Sequence, residues 1–546
     1  MKKFYSTLAA AALCAAPALA QWSTDRDVAT TIFPEDLNFY SNEVCVGADG
    51  TVWFFGDSPS SIAIEDSRTA AYVMRVQAFT PEGERKFGDE GLVLSYYDNQ
   101  SWTVVNRYMY ANRDSTITIV VHDRRNSNPS EGIMNYTAYR LRPDGTHVWD
   151  EDGVPVDNAM VSDANAAMSI TELEDGSNIF AWMWMTASST AVSMQKITKD
   201  GESQWDPMET KLAGSYNSYP YLVDAGDNQF ILVWARSSSQ YLSAMKYNAD
   251  GTTAWSKRVT IYDGGFGSVP IWTFLDIKPS GDGGVIVAWH DDRTGDNIPS
   301  AYMAYVKNDG TLGLTNADGK ADIKLSYAEW NQYNPDVYPD GLGTGFLAVY
   351  RQTSSGQSWG NIAVQHVSME GELLYGDEGI DLMPIDDTPK SVSYISIRPD
   401  YNGSFATFYQ TMTLDGGYFG IVCEMSIRNV SDGQPRTEGE AVLPIVDGGR
   451  YRSGLESLVD TKHNCWYAFW LDEGGNAEED RFTYCLQRIG FDGSMPGIES
   501  LNDIRRDNGA ARQLFDLQGR RISADSQMKG IYMVRENGQT RKVMKP

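Results

Sequence analysis

Two short runs put an imidazole, a carboxylate and a guanidinium side by side: His122-Asp123-Arg124-Arg125 and His290-Asp291-Asp292-Arg293. Histidine and a carboxylate can exchange a proton near neutral pH, and arginine holds carboxylates or sulfates through paired N–H donors. Arg236 and Arg351 fall at comparable points of neighbouring units. Together His122, Asp123, Arg124, Arg236, His290, Asp291, Asp292, Arg293 and Arg351 form the candidate ligand-binding set. Its chemistry is capture of an anionic sugar, or acid–base work on one. The competing reading is that Asp and Arg brace hairpin loops by ion pairs, and repetition across units favours it. No HExxH, GxSxG or P-loop pattern occurs, and Gly341-Leu342-Gly343-Thr344-Gly345 joins two strand-like runs as a turn.

Each candidate run ends an apolar segment, and those segments recur. An acidic-Gly turn marks the period: Glu82-Gly83, Asp144-Gly145, Asp200-Gly201, Asp250-Gly251, Asp309-Gly310, Glu370-Gly371, Asp432-Gly433 and Asp492-Gly493, spaced by 50 to 62 residues. The fifth unit is the clearest. Phe274 to Pro279 reads as a strand, a Gly-rich turn follows, and Val285 to Trp289 is a nearly continuous apolar run. Such a run suits a strand buried on both faces. His290 to Pro299 leads to a third strand, and Asn308-Asp309-Gly310 turns into a short fourth. Four strands with hairpin turns are one propeller blade.

The sequence therefore predicts an all-β fold, a β-propeller of eight four-stranded blades over residues 21–496, or seven if one unit is decoration. The last unit lacks a good fourth strand, because Ser494-Met495-Pro496 cannot sustain a ladder. Val28-Ala29-Thr30-Thr31-Ile32 can supply it and close the ring. An aromatic follows the turn glycine by four in five units (Phe87, Trp149, Trp205, Trp255, Tyr375), and Leu314 takes that place in the unit between those of Trp255 and Tyr375; packing between blades is the expected role. Connections between second and third strands, and between blades, are longer and variable. They share one face of a propeller, which makes that face the expected site.

The net charge is −28, and the body from Gln21 to Pro496 carries −34. So acidic a body excludes nucleic acid and anionic membranes as partners, since both demand cationic surfaces. No metal-ligand spacing and no cofactor motif is present. Calcium is conceivable at Gly88-Asp89-Glu90-Gly91, Asp150-Glu151-Asp152-Gly153 and Gly376-Asp377-Glu378-Gly379, with simple solvated turns as the alternative. Cys465 and Cys485 are nearly equidistant from Gly475, which fits a cross-strand disulfide; a pair of buried thiols fits equally.

The two ends differ from the body. Residues 1–20 have a basic start, an Ala/Leu-rich run and Ala18-Leu19-Ala20, the pattern of a cleaved signal peptide. No later run reaches the length of a membrane span. In residues 497–546, Leu514-Phe515-Asp516-Leu517-Gln518-Gly519-Arg520-Arg521 precedes Lys529-Gly530-Ile531-Tyr532, with Gly turns separating three or so short strands. This resembles the C-terminal sorting tail of proteins exported by the type IX secretion system of Bacteroidetes. The resemblance implies a small β-sandwich-like tail recognised by export machinery. The repeat units are similar to those of exported Bacteroidetes propeller proteins, which implies no activity.

The sialidases, also propellers, offer one comparison for an enzyme. Their Asp-box has one residue between Asp and Gly, whereas Asp250-Gly251 are adjacent here and Trp255 follows. The expectation is thus a secreted or cell-surface propeller that binds a glycan or a protein through its variable-loop face. The alternative is a glycan-cleaving enzyme using carboxylates and arginines on that face, and a structural envelope component is a third reading.

Overall fold

The computed structural model describes the chain from Trp22 to Ser494 except residues 24–28, 34–40, 60–71, 98–106, 124–134, 158–164, 187–188, 207–216, 237–240, 265–274, 317–318, 357–358, 384–389, 416–417, 437–441, 447–450 and 474–481. In the tail it describes 498–500, 513–515, 521–522, 530–536 and 539–545.

Eight antiparallel sheets follow one another along the chain. Seven have four strands in simple order; in blade 3 the described strands are Asn165–Glu172, Asn178–Thr186 and Ser189–Ile197. Each first strand touches the first strand of the next blade, and that of blade 8 touches that of blade 1. First strands therefore wall a central channel, and the eight-bladed ring is closed. The eight turn landmarks had that count right. Closure is also as the sequence suggested: Thr30–Thr31 pairs with Leu486 and Cys485 as the outer strand of blade 8.

Second strands carry the core. Val285–Asp291 is buried at every position, as is most of Gly345–Thr353. Alternate residues pack against opposite neighbours, as the two-residue period of a strand requires. Leu347 and Val349 meet blade 7, whereas Phe346, Ala348 and Tyr350 meet blade 5. The aromatics after the turns also pack between blades. Each covers the turn glycine of the next blade: a Cβ on Gly201 would lie 3.0 Å from the Trp149 ring. Trp149 Nε1 also donates to Lys199 O at 3.0 Å, and Trp255 Nε1 to Asn308 O at 3.0 Å.

First strands hold a feature that the repeat did not reveal. In blades 3, 4, 6, 7 and 8 a bulge interrupts the ladder, with Ala167, Tyr219, Asn334, Tyr394 and Gly454 at positive φ. A bulge frees amides from the ladder, and groups of the preceding blade take them. Met168 N donates to Tyr108 Oη, Leu222 N to Ser169 Oγ, Val337 N to Asp276 Oδ2 and Ile397 N to Asp336 Oδ2, all at 2.8–2.9 Å.

The proposed Cys465–Cys485 bridge is corrected. The hairpin pairs Glu473 with Phe482, so its centre lies beyond Gly475; Cys465 faces Gly490 and Cys485 faces Trp470. Five rungs, about 17 Å, separate the two cysteines, far beyond disulfide reach. In the tail the described strands pair as one five-stranded sheet, with Ile498–Ser500 parallel to Gln539–Lys545.

Candidate functional site

The second strands deliver the predicted residues to the variable face, where they divide into two kinds. In blade 5 they brace. Asp291 is buried; its Oδ2 accepts from Trp289 Nε1 at 2.8 Å and Arg293 Nη2 at 2.7 Å, its Oδ1 from Arg293 N and Nε. Arg293 also pairs with Asp322 on the fourth strand and lies 3.6 Å over the Tyr302 ring. Asp292 accepts from Asp296 N and Asn297 N, fixing the loop. His290 Nδ1 accepts from Asn334 N at 3.1 Å, and burial lowers its pKa to about 4. These residues stitch a loop to its blade and to the next one, so the bracing reading describes them.

In blade 2, His122 is buried and stacks on Tyr136 at 4.3 Å. Burial lowers its pKa to about 4, so it is neutral at physiological pH. Asp123 ends the strand, and Arg124 lies outside the described residues.

Arg236 and Arg351 behave differently. Each Nε is buried with no acceptor, and among the described residues neither arginine has an ion-pair partner. For Arg351 burial lowers the pKa, and only Tyr333 opposes it. Strand parity separates the two. Arg236 continues the Phe230, Leu232, Trp234 row toward blade 3, and Arg351 the Leu347, Val349 row toward blade 7. Rows facing the seam between blades 6 and 7 carry three buried polar atoms without a partner among the described residues: Arg351 Nε, Thr353 Oγ1 and Tyr409 Oη. Tyr409 comes from the facing row Phe405, Tyr409 of blade 7. Thr353 and Tyr409 are fully buried, so of the three side chains only the half-buried Arg351 can reach an external partner. On this face the connection from blade 5 to blade 6 exposes two aromatics, Trp330 at 36 % and Tyr327 at 62 %.

Sequence reading missed the channel wall. Lys278 Nζ bridges Asp276 and Asp336; Asp336 Oδ2 accepts from Arg398 Nη1 at 2.8 Å, and Arg398 Nε donates to Ser457 O at 2.8 Å. Burial pushes the Asp276 carboxyl up to about 6, whereas Arg398 and Lys278 hold Asp336 below the usual range. Lys278 engages both carboxylates, and each also accepts a backbone N–H from the next blade, Val337 N at Asp276 and Ile397 N at Asp336, so this pair is a blade-to-blade tie. The acidic loops considered for calcium are engaged as well: the carbonyls of Gly88, Glu90, Gly376 and Glu378 accept from Gln77, Arg75, Gln365 and Tyr350.

A cavity of about 460 Å³ opens on the opposite, short-turn face among blades 5, 6 and 7. Lys278, Pro279, Tyr338, Pro339, Met369 and Tyr401 form much of its lining. The Tyr338 ring sits between Lys278 Nζ at 5.1 Å and the Arg398 guanidinium at 4.8 Å.

Ring closure, innermost first strands and four-stranded blades define a β-propeller. Neither a family model nor a curated protein matches the chain. Among solved structures it is similar to the β-propeller domain of the Trilobed protease from Pyrococcus furiosus, at 11 % identity and a TM-score of 0.37, over 71 % of this chain and 97 % of that one. It is also similar to the polysaccharide lyase Uly1, at 12 % and 0.38 over 86 % and 92 %. The α-L-arabinofuranosidase Arb93A from Fusarium graminearum follows at 13 % and 0.32 over 63 % and 98 %. At such identities the likeness is one of fold. No helix among the described residues is long and apolar enough to cross a membrane.

Proposed function

We propose that this protein is an exported, surface-associated β-propeller that recognises an acidic glycan on its variable-loop face, at the seam between blades 6 and 7. The observation that carries the reading is Arg351, half-buried at the variable-face end of a second strand, with no ion-pair partner among the described residues and its Nε without an acceptor. A half-buried guanidinium with no carboxylate, in a chain of net charge −28, is complementary to an anion. Exposed Trp330 and Tyr327 on the same face add apolar platforms. Export rests on the signal-like residues 1–20 and the sorting-type tail of residues 497–546. A glycan array with matched acidic and neutral members tests the reading; retention on acidic members supports it, and a blank array sinks it.

Glycan cleavage on the channel wall is a second reading, favoured by Glu456. Its carboxyl opens to the channel and accepts from Asn42 Nδ2 at 3.5 Å, yet burial pushes it up to about 6, the range of a general acid. Turnover of a glycoside panel, lost in Glu456→Gln, would replace the binding reading.

A further inference from the structure

The short-turn cavity carries a second assignment, independent of the variable face. First turns of blades 5, 6 and 7 begin alike, with Ser280-Gly281, Asp340-Gly341 and Asp400-Tyr401. All three second positions are left-handed: φ is +90° at Gly281, +75° at Gly341 and +56° at Tyr401. Glycine adopts this conformation freely, whereas a bulky side chain there is a true outlier held under strain. Blade 7 thus keeps a tyrosine where its neighbours use glycine. The strain has a visible result: the ring stands at the cavity mouth, 44 % exposed. Gly341 makes room for it, since a Cβ there would lie 2.7 Å from Tyr401 Cα and 2.9 Å from its Cδ1.

The charges around the cavity restrict what it takes. Lys278 is held by Asp276 and Asp336, and the rim bears the Asp282 carboxylate, which accepts from Gly284 N, Ser280 Oγ and Tyr305 Oη. No lining cation is left for an anion. A cation would meet Lys278 and Arg398 at the Tyr338 ring. Proline and tyrosine surfaces beside a carboxylate and glycine-turn backbone suit a ligand with apolar C–H faces and hydroxyl donors. The volume lies within the range of small-molecule sites.

We propose that this cavity binds a neutral sugar ring of an oligosaccharide, with Tyr401 as its stacking platform. The test is calorimetric titration of the full chain with maltotriose, cellotriose, mannotriose and xylotriose, and with a proline-rich decapeptide. At least one trisaccharide binds with a Kd of about 1 mM or tighter. Tyr401→Gly, which removes the ring while relaxing the turn, weakens that binding about tenfold or more without lowering the melting temperature. Tyr401→Phe retains it, and Arg351→Ala leaves it unchanged, so this site and the acidic-glycan site fail separately. Absence of trisaccharide binding, equal binding by Tyr401→Gly, or binding of the decapeptide alone overturns the assignment.

Discussion

Asp336 and Arg398 meet at 2.8 Å across the seam between blades 6 and 7, with both side chains about 15 % exposed. The same carboxylate takes Ile397 N and the Lys278 ammonium, so one side chain ties blade 6 to both neighbours. Removing one member of a buried pair leaves the other charged and unmatched, at a cost of about 3 kcal/mol. Asp336→Ala is therefore expected to shift urea unfolding strongly, and Asp336→Ala with Arg398→Met less than the sum of the two. Additive losses in the double-mutant cycle would show that the pair is not coupled.

Ring closure depends on the first residues of the body. Trp22 is buried between blades 8 and 1, 5.5 Å from the Phe79 ring and 5.4 Å from Tyr467, and its Nε1 donates to Pro81 O at 2.7 Å. Trp22→Ala is expected to cost about 4 kcal/mol. Near-native stability of that variant in chemical denaturation would mean the ring closes without this clasp.

Stability as a function of pH carries opposed contributions. His122 and His290, lowered to about 4 from an unfolded value of about 6.5, favour the fold above pH 6.5 and lose that contribution as pH falls toward 4. Asp276 and Glu456, raised to about 6 from about 4, favour the fold below pH 4 and lose it as pH rises toward 6. Asp340, held near 2 by hydrogen bonds from His366, Thr344 and Leu342, adds a loss as pH falls from 4 to 2. Over pH 4–6 the melting temperature of the parent is thus expected to be nearly flat. His122→Gln with His290→Gln should make it decline with rising pH, and Asp276→Asn should make it climb. Parallel profiles for all three proteins would contradict these assignments.

Much of the architecture was legible because turn chemistry is local. Acidic-Gly turns repeat for a backbone reason, and eight of them gave eight blades. Val28 to Ile32 stood out as spare strand sequence, and Thr30–Thr31 closes the ring. Side-chain roles depended on what lies across a seam, which spacing along the chain does not encode. Asp291 and Arg293 look reactive in sequence but satisfy one another; Arg351 looks similar and has no ion-pair partner among the described residues. The short-turn cavity was hidden because Tyr401 reads as an ordinary loop residue until its φ is known.

The cysteines show the same limit at smaller scale, since a shift of hairpin centre separated two positions that symmetry about Gly475 seemed to oppose. Burial raises the thiol pKa values of Cys45, Cys423 and Cys465, which slows alkylation. Melting curves with and without reductant should superimpose. A midpoint lowered by several degrees in reductant would reveal a bridge that this register excludes.

The central claim is that an acidic glycan is held at Arg351. The most direct test measures affinity of the full chain for an array-selected acidic oligosaccharide at two salt concentrations, beside Arg351→Ala. Binding is expected to weaken with salt, to fall about tenfold or more in Arg351→Ala, and to persist in Tyr401→Gly. Equal affinity of the parent and Arg351→Ala, at both salts, would contradict it.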